Sequence, residues 1–87
     1  MELMLARSLA GHDKDEIYVI VGRENDRALL ANGKNRTLAD PKRKKYKHLQ
    51  TIKKLPKEVE DEAAGELTDL VIKRILKKYV SHISKEL

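Results

Sequence analysis

The sequence contains no cysteine, no tryptophan and no phenylalanine, and only two prolines and four glycines. Without cysteine there is no disulfide framework, no thiolate zinc site and no cysteine nucleophile, so a packed core alone must hold the fold. The aromatic complement is three tyrosines, Tyr18, Tyr46 and Tyr79. That is a poor supply for the stacking platforms that bind single-stranded nucleic acid. Long apolar runs are also missing. No stretch approaches the roughly 18 apolar residues of a membrane span, and Met1 to Arg7 lacks a basic lead followed by an apolar segment. The expectation is a cytoplasmic protein that does not engage a membrane. At 87 residues, about two-fifths of them hydrophobic, the chain suffices for one modest core.

What the chain has in abundance is charge, with a formal net value of +5. The charge is unevenly spread. Residues 1–40 hold six basic and seven acidic side chains, residues 41–57 hold eight basic and none acidic, and residues 58–87 hold five basic against seven acidic. The basic run centres on Pro41-Lys42-Arg43-Lys44-Lys45-Tyr46-Lys47-His48. Such a run can be a solvated loop, or a segment that orders only on binding. Self-repulsion among so many like charges favours instead a surface relieved by an anion, and phosphate is the obvious one.

Short apolar runs alternate with turn signals every 8 to 12 residues or so in the first half, the pattern of a small all-β domain. Five strands are predicted: Leu3 to Ser8, Ile17 to Val21, Arg27 to Ala31, Lys34 to Leu38, and His48 to Ile52. The second, β-branched and apolar on both faces, is expected to be the most buried. Asn32-Gly33 predicts a type I′ hairpin between the third and fourth, which leaves residues 41–48 as a basic loop. Beyond Pro56 the apolar period lengthens. Leu67, Leu70, Val71, Ile72, Ile75, Leu76, Tyr79, Val80 and Ile83 form a helical stripe, with Thr68 or Asp69 as its N-cap. Glu58, Glu60, Asp61 and Glu62 precede it, and Gly65 argues against one continuous helix from Pro56. Residues 1–55 thus read as the β domain and residues 56–87 as a helical segment, packed on that domain or used for self-association.

From Ser8-Leu9-Ala10-Gly11-His12-Asp13-Lys14 onward the chain resembles the KOW motif of ribosomal large-subunit proteins and transcription elongation factors. The likeness continues through Leu30 to Arg36, Pro41 to Lys45 and Lys47-His48-Leu49. It resembles in particular the small bacterial KOW-domain RNA-binding proteins related to ribosomal proteins. The resemblance implies a mainly β fold with a C-terminal helix, a small SH3-like five-stranded barrel followed by the amphipathic helix. It also implies contact between the Gly11 loop and structured RNA, ribosomal RNA above all, with ribosome association. In that role Gly11 takes a positive φ and brings the backbone near a phosphate. Arg7, His12, Lys14 and Arg36 supply charge, as do Lys42, Arg43, Lys44, Lys45 and Lys47. Tyr46 either stacks on a base or covers the barrel edge, while His48 or Gln50 reaches a 2′-hydroxyl. Asp13 is expected to cap its turn by a side-chain to backbone hydrogen bond. Relatives often carry a second glycine or small residue two positions after the first acid, where this chain has Asp15 and Glu16.

Three other readings compete. Catalysis would have to come from Ser8, His12, Asp13 and Lys14, residues common in any polar turn, with neither a nucleophile motif nor a phosphate loop around them. No enzyme, cofactor, metal or small-molecule substrate is therefore expected. His12, Asp13, Asp15 and Glu16 match neither EF-hand nor zinc spacing. A protein-interaction module docking through the C-terminal helix is the main alternative to RNA binding. DNA binding is the third, since counterion release rewards either nucleic acid.

Overall fold

The computed structural model describes residues 3–86. Met1, Glu2 and Leu87, at the ends of the two segments read from the sequence, lie outside the described residues. Five strands, β1 (Leu5–Ser8), β2 (Ile17–Glu24), β3 (Arg27–Ala31), β4 (Lys42–Lys45) and β5 (Leu49–Ile52), form one antiparallel sheet in the order β4-β3-β2-β1-β5. A single 3-10 turn, Tyr46–His48, joins β4 to β5, and two helices follow, α1 (Lys57–Glu62) and α2 (Asp69–Glu86). β4 and β5 are not paired to each other, so the sheet remains open.

Successive residues of a strand point to opposite faces, and here both faces are buried. On one, Leu5, Val19 and Ala31 pack with Val59 of α1 and Ile72 and Ile75 of α2. On the other, Ala6, Tyr18, Ile20, Ala28, Leu30 and Leu49 form a second cluster flanked by Met4 and Tyr46. β2 feeds both clusters, which is why its apolar residues run without alternation. The stripe therefore packs on the sheet through Ile72 and Ile75, with Leu67, Val71, Leu76 and Tyr79 partly buried beside them, while Leu70 and Val80 stay exposed. Removing the side chain of fully buried Ile75 down to Ala would cost about 2 to 5 kcal/mol. Thr68 caps α2, its Oγ1 accepting the Val71 amide at 3.2 Å, while Asp69 accepts the Leu38 amide at 2.9 Å. α1 and α2 are separate helices in the chain, with Gly65 between them, but they pack on each other. Val59 anchors α1, and Glu62 of α1 meets Lys78 of α2 at 2.9 Å.

The fourth strand is not where periodicity placed it. Residues 34–38 contain no strand, and the strand is the basic run itself, so residues 41–48 are no loop. Two local causes divert the Asn32-Gly33 turn. Asn32 Oδ1 accepts the amides of Lys34 and Arg36, at 2.9 and 3.0 Å, closing a compact loop in place of a strand ladder. Gly33 has φ +78° but Asn32 does not have the positive φ that a type I′ turn needs. A Cβ on Gly33 would collide with the Asp69 carbonyl oxygen and come within 2.8 Å of the Lys73 stem, so the glycine serves close approach to α2. The two-residue hairpin lies instead at Asn25-Asp26, where Asn25 takes φ +55° between the paired residues Glu24 and Arg27.

Candidate nucleic-acid interface

The loop between β1 and β2 is folded around one acid. Asp13 is buried, and both carboxylate oxygens are filled. Oδ1 accepts Ser8 Oγ at 2.8 Å and Lys44 Nζ at 2.6 Å, while Oδ2 accepts the Tyr18 hydroxyl and Lys42 Nζ, each at 2.8 Å. Four acceptor sites of an ionised carboxylate are thereby used. This corrects the expected turn cap, because the side chain binds four other side chains rather than backbone. Burial alone would raise the Asp13 carboxyl, but the hydrogen bonds from Lys42, Lys44, Tyr18 and Ser8 outweigh it and hold the group well below the usual carboxylate range. Tyr18 is pushed up, by burial first and then by its bond to Asp13.

Lys44 gives its three donors to this loop, reaching Ser8 Oγ at 2.8 Å and the Ala10 carbonyl at 2.7 Å besides Asp13. Alternation along β4 explains the arrangement. Lys42 and Lys44 stand opposite Leu30 and Ala28 on the face of the second cluster, so their stems cover apolar surface and their ammonium groups meet Asp13. Arg43 points the other way and holds Glu24 by two hydrogen bonds, at 3.0 and 3.3 Å. Three cations of the basic run are thus engaged by acids of the same chain, Lys42 and Lys44 sharing the single charge of Asp13 and Arg43 facing Glu24 on the surface. Lys14, Lys45 and Lys47 have no acid within ion-pair distance among the described residues.

Gly11 takes φ +87°, and a Cβ there would meet Lys44 Nζ at 3.5 Å and Asp13 Oδ1 at 3.6 Å, both ordinary contacts. The demand for glycine is conformational, not steric. Asp15, at the position where the resemblance would place a second glycine, also has a positive φ, +74°. Short polar side chains tolerate this region better than most. The Leu9 amide donates to the His48 carbonyl at 2.9 Å, tying the loop to the 3-10 turn.

The structure therefore gathers Gly11, His12 and Lys14 with Lys42, Lys44 and His48, residues about 30 positions apart. His12, Lys14, Lys47 and His48 are exposed. Tyr46 packs on the second cluster with the Arg23 guanidinium 5.1 Å above its ring, so one face is occupied by a cation. Nothing near Arg23 in the sequence marked it for this position, since only strand pairing brings it to Tyr46. Arg36 lies in the turn beside α2, and Arg7 projects from the helix-covered face of the sheet, where its Nη1 faces Asp15 at the far end of the loop at 3.7 Å rather than the Gly11 turn. No model of a known protein family matches the chain, and no curated protein is significantly similar to it. No helix among the described residues is long and apolar enough to cross a membrane.

Proposed function

We propose that the chain is a non-catalytic, cytoplasmic RNA-binding protein of the KOW type, which holds structured RNA, ribosomal RNA first, on the surface made by the Gly11 loop and the Tyr46–His48 turn. The observation that carries this reading is the fixed juxtaposition of loop and basic run. Asp13, Lys44 and the Leu9 to His48 bond order the loop before any ligand arrives, so little entropy is lost on binding. The exposed backbone at Gly11 can approach a phosphate, and exposed His12 and Lys14 of the same loop and exposed Lys47 and His48 of the turn tied to it offer further donors.

Sheet curvature supports the SH3-like barrel. β4 and β1 are three strand spacings apart, roughly 14 Å in a flat sheet. Yet Lys44 of β4 touches Ser8 of β1 at 2.8 Å, as it can when the sheet curls around the second cluster. The left-handed φ at both Gly11 and Asp15 supports the KOW resemblance. Docking of a protein through α2 has less support: Ile72 and Ile75 are consumed by the core, and exposed Leu70 and Val80 lie about 15 Å apart along the axis.

The test is titration of a structured ribosomal RNA fragment at two salt concentrations, beside a DNA duplex of equal charge and a Lys14→Gln/Lys47→Gln variant. The expected result is tighter, salt-dependent binding to RNA that the variant weakens at least tenfold. Equal weak binding to both nucleic acids, or none, overturns the proposal.

A further inference from the structure

Arg7 leaves β1 between its register partners Ile17 of β2 and Gln50 of β5. Its Nε is buried and has no hydrogen-bond partner, and among the described residues no other side-chain nitrogen or oxygen is left so. Asp15 is the nearest acid, but its Oδ1 is 3.7 Å from Nη1, too long for a hydrogen bond, and its side chain is two-thirds exposed at 67%. Polar groups buried in proteins are almost always paired, so the guanidinium is held with its hydrogen bonding incomplete, while the side chain as a whole remains 43% exposed to the cleft.

The guanidinium lines a cleft of about 510 Å³ between β5 and the C-terminal half of α2. Gln50, Thr51, Lys53 and Lys54 line it as well, above an apolar wall that includes Tyr79. Neither Lys53 nor Lys54 has an acid within ion-pair distance among the described residues. We propose that this cleft is a second site, one that binds a phosphate group. Arg7 presents the planar fork that matches phosphate oxygens, Lys53 and Lys54 bring two further positive charges, and Gln50 offers an amide donor. One carboxylate, Asp15, opposes three cations. The cleft has the size of a ligand pocket and admits the phosphate together with whatever carries it.

The site stands on its own geometry. Only the identification of an RNA strand as the source of the phosphate rests on the function proposed above. The chain reaches this cleft one residue before the loop, since Arg7 pairs with Gln50 where Ser8 pairs with Leu49. An RNA backbone crossing the β1–β5 edge would touch both surfaces. A free phosphorylated small molecule would touch the cleft alone.

The experiment is ¹⁵N NMR of the arginine side chains during titration with inorganic phosphate at constant ionic strength, with chloride as the control anion. Saturable shifts are expected at Arg7 Nε–H and at the Gln50 amide. They should be absent in Arg7→Gln and at least tenfold weaker in affinity in Lys53→Gln/Lys54→Gln, both variants being checked for folding by thermal melting. An Arg7 resonance that phosphate leaves unmoved, or that chloride moves equally, overturns the site. Addition of the structured RNA then separates the sources. Movement of Arg7 Nε–H together with several-fold weaker RNA binding by the Lys53→Gln/Lys54→Gln variant assigns the phosphate to RNA. A phosphate response with no RNA response assigns it to a small molecule. The Lys14→Gln/Lys47→Gln variant, which leaves the cleft intact, reports on the loop surface separately.

Discussion

Lys44 Nζ sits 2.6 Å from Asp13 Oδ1, joining residues 31 positions apart and fastening the edge strand β4 to the loop that follows β1. A lysine in a basic run is usually taken as a phosphate contact. Here its side chain is only 12% exposed, and its charge is answered from within. Replacing Asp13 by Asn keeps the shape but leaves two partly buried ammonium groups without a counter-charge. Loss of one partner of a buried pair costs about 3 to 5 kcal/mol. Urea denaturation of Asp13→Asn should show destabilisation of about 3 kcal/mol, and a change under 1 kcal/mol would remove Asp13 from the centre of the fold.

The same contact fixes the acid limb of stability. The Asp13 carboxyl is depressed in the folded state and near its ordinary value of about 3.9 when unfolded. Its contribution is therefore full above about pH 4 and declines as pH falls below that, by at most about 1.4 kcal/mol per pH unit. The difference in stability between the wild type and Asp13→Asn should narrow between pH 5 and pH 2, measured by urea unfolding across that range. At the alkaline end, the raised Tyr18 phenol makes stability fall above about pH 10, because the unfolded chain ionises there first.

Two glycines should respond oppositely to alanine. At Gly33 a Cβ meets the Asp69 backbone and the φ of +78° is unfavourable, so Gly33→Ala should destabilise by about 2 kcal/mol or more as α2 is pushed away. At Gly65 nothing lies within 4 Å of the added carbon and φ is not left-handed. Gly65→Ala should be neutral or stabilise by up to about 1 kcal/mol. Thermal melts of the pair decide this, and equal effects would contradict the assignment of Gly33 to close packing.

Thr68→Ala removes the acceptor of the Val71 amide at the start of α2. A loss of about 1 kcal/mol is expected, with faster hydrogen exchange confined to the first turn. Exchange that rises uniformly along α2 would show that the cap does not act locally.

The RNA proposal makes a statement about which lysines matter. Lys45 and Lys47 carry charge without an acidic partner, so Lys45→Gln/Lys47→Gln should leave stability nearly unchanged while the slope of log affinity against log salt drops by about 1 to 2. Lys42→Gln should instead lower stability, because it removes one of the bonds on Asp13. Binding assays paired with denaturation distinguish the two classes. An unchanged salt slope in the first variant would place the RNA elsewhere on the surface.

The sequence alone determined the elements whose signals are local. β-branched Ile17 to Val21 read as a strand buried on both sides, the apolar stripe beyond Gly65 read as a helix capped by Thr68 or Asp69, and the structure has α2 at Asp69–Glu86 with Thr68 as the cap. The positive φ expected at Gly11 from the resemblance is also present. Only the tertiary structure decided what the charges do. Lys42, Lys44 and Asp13 look like exposed loop residues in sequence because periodicity registers hydrophobicity, and a lysine whose stem lies on Leu30 while its ammonium meets a buried acid carries no apolar signature. The strand at Lys42–Lys45 went unseen for that reason, and Lys34 to Leu38 was read as a strand because the hydrogen bonds of Asn32 and the approach of Gly33 to α2 depend on partners that a local pattern does not contain. The divided placement of Arg7 and Gly11 is of the same kind. They are four residues apart, yet the alternation of β1 turns the arginine to the face covered by α2, beside Asp15, while Asp13 of the same loop meets Lys42 and Lys44 on the other face.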